Sequence, residues 1–245
     1  MKIVESFVSF QGEGKFIGRL AIFFRFGGCN LDCKGFDCHL KSPKTGEILV
    51  GCDTIRAVKI SHFDYEEADF NKLLKIIDDL KFFPIVVITG GEPLIYHKND
   101  DFYDFISEIL KRNLQVHFET NGTQFIDFKN FTNYKKCYFA ISPKLSISGE
   151  KKEKRLNYKA LENMKKNAKD SFYKFVINPQ NLDNEKKEIE EILKIAPNDV
   201  YLMPLGKNKK ELEQNSQKVA EFAINCGFNY SDRIHIRIYD DKEKV

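Results

Sequence analysis

The chain has 245 residues, 42% hydrophobic and 31% charged, with 14 Gly and 7 Pro, which excludes collagen-like, low-complexity and wholly disordered classes and suits one domain with a proper core. Lysine and arginine number 39 against 36 aspartates and glutamates, a formal net charge of +3, too near zero to argue for nucleic acid or acidic lipid as a partner. The N-terminus MKIVESFVSFQGEG has no basic head followed by an apolar stretch, and no window reaches the roughly 18 apolar residues of a membrane span, so a cytoplasmic protein is expected.

In chain order, the first predicted strand covers residues 20–26 (LAIFFRF), and a helix follows over 66–81 with Phe70, Leu73, Leu74, Ile77 and Leu80 on one face. Strands are then predicted over 84–89, 114–119, 137–142, 172–178 and 200–203, with helices over 101–113, about 158–168, 184–195 and 209–225. Strands alternating with helices mean βα units, and hence a parallel sheet with helices packed over it. About six units fall short of the eight of a closed barrel. The expected fold is therefore α/β, a partial, open parallel β/α barrel in one domain spanning 1–245. Gly- and Pro-containing segments at 26–29, 89–93, 119–122, 142–144, 178–179 and 203–206 each follow a predicted strand. They would gather at the C-terminal edge of the sheet, where parallel α/β proteins bind ligands.

Six cysteines stand at 29, 33, 38, 52, 137 and 226, four of them within 24 residues. In a reducing compartment such clustering points to metal or redox chemistry rather than disulfides. Cys29, Cys33 and Cys38 lie on a loop after a strand, and thiolates are the soft ligands that iron–sulfur clusters and zinc prefer. A structural zinc site ordinarily takes a second cysteine pair, whereas Cys137 and Cys226 are isolated and read as packed thiols. Three thiolates on a four-iron cluster would leave one iron open to a ligand. On spacing alone, cluster, zinc and incidental thiols all stay open.

The cysteine loop followed by Gly90-Gly91-Glu92-Pro93 resembles the radical S-adenosylmethionine (SAM) superfamily, and within it the chain is similar almost end to end to the 7-carboxy-7-deazaguanine synthase family. The segments that carry the likeness are 9–14 (SFQGEG), Arg25 four residues before Cys29, Cys52-Asp53-Thr54, Thr89 with the Gly-Gly-Glu-Pro run, 119–123 (ETNGT), Ser142-Pro143-Lys144, and Arg233 to His235. The resemblance implies a radical SAM fold, a 4Fe-4S cluster, SAM and a magnesium ion. It implies ring contraction of 6-carboxy-5,6,7,8-tetrahydropterin to 7-carboxy-7-deazaguanine with loss of ammonia, in queuosine or 7-deazapurine biosynthesis. An electron donor such as flavodoxin and a homodimer follow from it too, with no nucleic-acid or membrane partner.

By the same resemblance Phe10, Gln11, Gly12, Glu13, Arg25, Thr89, Pro204 and His235 bind the substrate, Glu13 accepting from the pterin edge and Arg25 holding the carboxylate. Gly90, Gly91, Glu92, Glu119, Asn121, Ser142, Pro143 and Lys144 face SAM. The cluster ligands are Cys29, Cys33 and a third cysteine, with Thr54 on magnesium. The spacing departs from the family here. Its usual C-x3-C-x2-C-D-T becomes Cys29-x3-Cys33, then Cys38 after four intervening residues and Cys52 after eighteen. Cys52 is preferred because Asp53-Thr54 follows it, which makes 34–51 an enlarged cluster loop, and Cys38 stays as the alternative. His39, His62, His97 and His117 lack metal-ligand spacing and read as surface or core residues. The rival readings are another radical SAM enzyme, glycyl-radical-activating or RNA-modifying, and a zinc-binding interaction protein whose Lys-rich second half docks RNA or a partner.

Overall fold

A computed structural model describes residues 1–240 and 242 of the chain. Strand β1 (Ile3–Phe10) runs antiparallel to β2 (Leu20–Phe26), and the next two strands, β3 (Cys38–Lys41) and β4 (Ile48–Gly51), form a separate hairpin. Then come β5 (Ile85–Gly90), β6 (Val116–Thr120), β7 (Tyr138–Ile141), β8 (Asp170–Ile177), β9 (Asp199–Pro204) and β10 (Asn229–Tyr230). The main sheet has the order β1-β2-β5-β6-β7-β8-β9-β10, with every pair parallel except β1–β2. The six predicted parallel strands are all present. They are extended at one edge by β1 and at the other by the two-residue β10. Strand β1 carries Glu5, Ser6 and Ser9, and only Ser9 among its residues is buried, so it lacks the unbroken apolar run that marks a parallel strand covered on both faces.

The helices follow the predicted order: short α1 (Ile55–Val58), then α2 (Phe70–Asp78), α3 (Asp100–Lys111), short α4 (Lys152–Arg155), α5 (Tyr158–Asn167), α6 (Leu182–Ile195), α7 (Lys209–Cys226) and α8 (Ile234–Tyr239). The helix expected from residue 66 starts later because Asp69 caps it, its side chain accepting from Lys72 N at 3.1 Å. Asn99, Asn157 and Asn208 cap α3, α5 and α7 in the same way. Between β6 and β7 there is no α-helix, only a 3₁₀ turn over Thr132–Lys136.

The two faces of β2 set the layers, since successive strand side chains alternate. Ile22, Phe24 and Phe26 are fully buried under the helices with Phe102, Phe105, Phe118 and Phe139. Ala21, Phe23 and Arg25 turn to the other, inner face. The segment expected as an enlarged loop is mostly the β3–β4 hairpin, in which Cys38 pairs with Gly51. Hairpin pairing brings the ends of the excursion together, so Cys52 returns to the vicinity of Cys33. None of the helices among the described residues is long and apolar enough to cross a membrane.

Candidate active site

Along the inner face, side chains change character between two successive levels. The lower level is apolar: Ala21, Phe23, Ile85 and Val87 pack with Phe7 and Phe16. Phe16, from the β1–β2 loop, sets its ring edge-on to His117 at 4.5 Å and to Tyr138 at 5.4 Å. Burial pushes His117 down to about 4, which makes it a neutral core residue, as the sequence suggested. Two residues further along the same strands, toward their C-terminal ends, stand Arg25, Thr89, Glu119 and Lys174.

This upper level is a network of charges. Lys174 Nζ donates to Glu13 Oε2 and to Glu119 Oε1, each at 2.9 Å. Arg233 Nε donates to Glu13 Oε1 at 2.8 Å, Thr89 Oγ1 to Glu119 Oε2 at 3.2 Å, and Gln11 Nε2 to Glu119 Oε1 at 3.4 Å. Burial by itself would raise the pKa of Glu13, but Lys174, Arg233 and His235 outweigh it and hold the carboxyl well below its ordinary value. For Glu119 burial is again opposed by Lys174, with Arg25 adding to the lowering and Glu13 working against it. Arg25 itself donates from Nε to Glu5 Oε1 at 2.7 Å. His235 lies on Gly12, where an added Cβ would come within 2.1 Å of its Nδ1, and Ile234 N donates to Gly12 O at 3.0 Å. Only glycine lets the C-terminal segment close on the Gln11–Gly14 turn.

A second network lies at the strand ends. Glu92 is fully buried. Its Oε1 accepts from Leu94 N at 3.0 Å and Thr120 Oγ1 at 2.8 Å, and its Oε2 from Asn121 N at 2.6 Å. Burial pushes its pKa up to about 7 against these hydrogen bonds. Glu92 thus braces the exit of β5 to the exit of β6. Asn121 Nδ2 donates to Asn30 Oδ1 at 3.0 Å, which ties β6 to the cysteine segment. Glu92 N donates to Gly28 O at 2.8 Å, so the Gly-Gly-Glu run lies along the turn that presents Cys29. Ser142 N donates to Thr120 O at 2.7 Å, and Lys144 Nζ donates to Ser142 Oγ at 3.2 Å.

Burial pushes Cys29 up to about 12 and Cys33 up to about 11, and Cys52 adds to the rise of both. Burial also raises Cys52, against a hydrogen bond with Thr54 whose Oγ1 lies 3.2 Å from its Sγ. Cys38 is raised by burial as well, and its Sγ–H points to Phe36 O at 3.8 Å. The Lys144 ammonium lowers Cys33, Cys52 and Glu92 alike, so it faces the thiols and the Gly-Gly-Glu run together. Among the described residues no three His, Cys, Asp or Glu side chains converge on one ion. Thiolates are the ligands that iron–sulfur clusters take. Soft sulfurs, a flanking cation and a hydroxyl fit a cluster.

Most of the sequence-predicted residues come together in these two networks: Gln11, Gly12, Glu13, Arg25, Thr89 and His235 in the first, Gly90 to Glu92, Asn121 and Ser142 to Lys144 in the second, with Glu119 in the first rather than beside the second. Pro204 ends β9, buried and paired with Ile177. Phe10 stands apart, paired with Leu20 at the start of β2 and 43% exposed. Lys174, Arg233's double contact and Asn30 were not foreseen. The available signal for Lys174 was a lone cation inside the apolar run FYKFVI.

The network has a consequence for acid stability. Because the folded pKa of Glu13 is depressed, its contribution is present above the unfolded carboxyl value of about 4.3 and is lost as pH falls through the folded value. Glu13→Gln is expected to cost about 3 kcal/mol at pH 7, a gap that narrows below about pH 4.3. Thermal unfolding of both proteins by circular dichroism from pH 3 to 7 measures it, and a gap independent of pH would contradict it.

A model of the 4Fe-4S single cluster domain family matches residues 10–165. The 7-carboxy-7-deazaguanine synthase of Halobacterium salinarum is 29% identical over 265 aligned residues, taking in 98% of this chain and 91% of the relative. That of Clostridium acetobutylicum is 30% identical over 83% of this chain and 81% of the relative. Among solved structures, QueE from Escherichia coli matches with a TM-score of 0.62 at 22% identity, covering 94% of this chain and 92% of that one. SuiB from Streptococcus suis bound to S-adenosylmethionine matches with a TM-score of 0.52 at 14% identity, over 86% and 51%. At these identities the structural likenesses speak for the fold alone.

Proposed function

Because the chain belongs to the 4Fe-4S single cluster domain family and to the 7-carboxy-7-deazaguanine synthases, we infer that it is a radical SAM enzyme that contracts the ring of 6-carboxy-5,6,7,8-tetrahydropterin to 7-carboxy-7-deazaguanine with loss of ammonia. Its cofactors are a 4Fe-4S cluster and SAM. At the level of residues one observation carries the inference: Arg233 donates to Glu13 at 2.8 Å and to Asp53, the neighbour of Cys52, at 3.4 Å. This contact supports reading the acidic substrate level and the thiols as parts of one site.

Cys29, Cys33 and Cys52 would hold the cluster, and Thr54 would contribute a hydroxyl to a magnesium ion completed by oxygens of bound molecules. When bound, the cluster and SAM would supply one-electron, hydrogen-abstracting chemistry. The protein's own residues bind and orient. Arg25 is the cation suited to the substrate carboxylate. Glu13 and Glu119 accept N–H donors of the pterin edge. Ser142 and Lys144 would meet SAM, Lys144 offering a cation to its carboxylate. Phe16 and the apolar level below keep water out from beneath. A homodimer, a flavodoxin-like electron donor and a cytoplasmic setting belong to the same proposal.

The test is anaerobic reconstitution with iron and sulfide, then incubation with SAM, a reductant and the carboxypterin. A brown protein that forms 7-carboxy-7-deazaguanine is expected. A colourless zinc protein without turnover would overturn the assignment, and SAM cleavage without use of the pterin would redirect it to another radical SAM reaction.

A further inference from the structure

Lys174 is a buried charged group beside the proposed substrate-binding carboxylates to which the roles above give no function. It is 4% exposed in the middle of β8, and its ammonium sits between two carboxylates at 2.9 Å each. Those carboxylates come from elements far apart in sequence, Glu13 from the β1–β2 loop and Glu119 from β6. Two adjacent carboxylates without a cation between them would share a proton, and a protonated carboxyl turns one acceptor into a donor. With the cation present, both are acceptors only.

The bonding pattern leaves capacity on the same pair. Of the about four acceptor positions a carboxylate offers, Glu13 uses one for Lys174 and one for Arg233, and Glu119 uses one each for Lys174, Gln11 and Thr89. Uncommitted acceptors on both residues suit a ligand edge carrying several N–H donors. Resting on the carboxypterin reading, we propose that Lys174 is a positioning residue that holds Glu13 and Glu119 as an adjacent, acceptor-only pair for the N–H edge of the substrate.

The other charged groups around the pair bear on the test. Arg233 and His235 approach Glu13 from the C-terminal segment and Arg25 approaches Glu119 from β2, while Asp53 engages Arg233. Arginine guanidinium groups are not deprotonated in proteins. Burial holds His235 below its ordinary value, which Arg233 reinforces and Glu13 opposes, so an acid limb set by the two carboxylates responds to Lys174.

Wild type, Lys174→Gln and Lys174→Arg are compared for cluster content, for 5′-deoxyadenosine released without carboxypterin, and for kcat and KM from about pH 3.5 to about pH 9, a range that takes in the ordinary carboxyl value. Lys174→Gln is expected to raise KM for carboxypterin by about 10-fold or more and to move the acid limb of kcat/KM upward by about one pH unit. Cluster content and substrate-free SAM cleavage should stay at wild-type levels, and Lys174→Arg should restore both kinetic parameters. An unchanged KM and acid limb in Lys174→Gln, with an active wild type, overturns the inference alone. A wild type that cleaves SAM but never uses carboxypterin overturns the assignment and this inference with it. Should Lys174→Gln not hold its cluster, Glu119→Gln/Lys174→Gln removes the carboxylate pair altogether, and an acid limb still displaced in it counts against the proposal.

Discussion

Cys52→Ala is expected to leave anaerobic reconstitution with no stable 4Fe-4S cluster and turnover reduced by well over about 100-fold, the upper end of what losing a mere outer-shell partner costs a metal site. Cys38→Ala is expected to keep cluster and turnover within about twofold, the order of effect of a surface substitution away from the site. Both residues flank the same hairpin, yet their surroundings differ. Cys52 acts on the thiols of both Cys29 and Cys33, and its Sγ is 3.2 Å from Thr54 Oγ1. Cys38 sits in β3 opposite Gly51, its thiol directed at the carbonyl of Phe36. Iron and sulfide analysis, visible absorption and product formation decide between them. A Cys38→Ala protein without a cluster, beside a Cys52→Ala protein with one, would reverse the ligand set and remove Thr54 from the magnesium site.

How much of this was legible in the sequence depends on whether the causes were local. The parallel strands announce themselves because a strand covered on both faces is an apolar run, as at residues 20–26 and 84–89. The gathering of strand-end segments follows from parallel topology alone. Strand β1 and the hairpin are not announced by such runs: the first is half exposed, and the second is four residues per strand with Ile48 59% exposed. The hairpin brings Cys52 back toward Cys33 across the eighteen residues between them, and loop length by itself says nothing about whether the ends meet. Lys174 illustrates the other limit. A lysine in a strand is legible as unusual, but its partners Glu13 and Glu119 are 161 and 55 residues away, and only the closed fold makes them neighbours. Glu92 adds a role that its motif does not announce: its oxygens accept from Leu94, Thr120 and Asn121 and so tie two strand ends together.

Gly91→Ala is expected to lower stability by about 2–3 kcal/mol, as overpacking against an unyielding neighbour does, and to cut turnover by about 100-fold, the effect of a displacement of about 1 Å at a reacting centre. By the family resemblance Gly90 and Gly91 face SAM, a place where glycine lets the backbone come close to a ligand. The structure gives Gly91 a protein neighbour as well: an added Cβ would stand 2.4 Å from Gly28 O and 2.8 Å from Cys29 Cβ. Gly28 O cannot swing aside without breaking its bond from Glu92 N at 2.8 Å, and Glu92 is fixed in turn by β6. The strain therefore falls on the turn that aims Cys29. A fair control is Gly227→Ala at the end of α7, where φ is +70° and nothing lies within 4 Å of the added Cβ, so the cost is the backbone's own, about 1–2 kcal/mol. Both variants should melt earlier, but only Gly91→Ala should retain less iron after reconstitution and cleave SAM more slowly. Equal iron retention in the two would mean that the Gly-Gly-Glu run and the cysteine turn can part without consequence, and that these glycines serve the ligand alone.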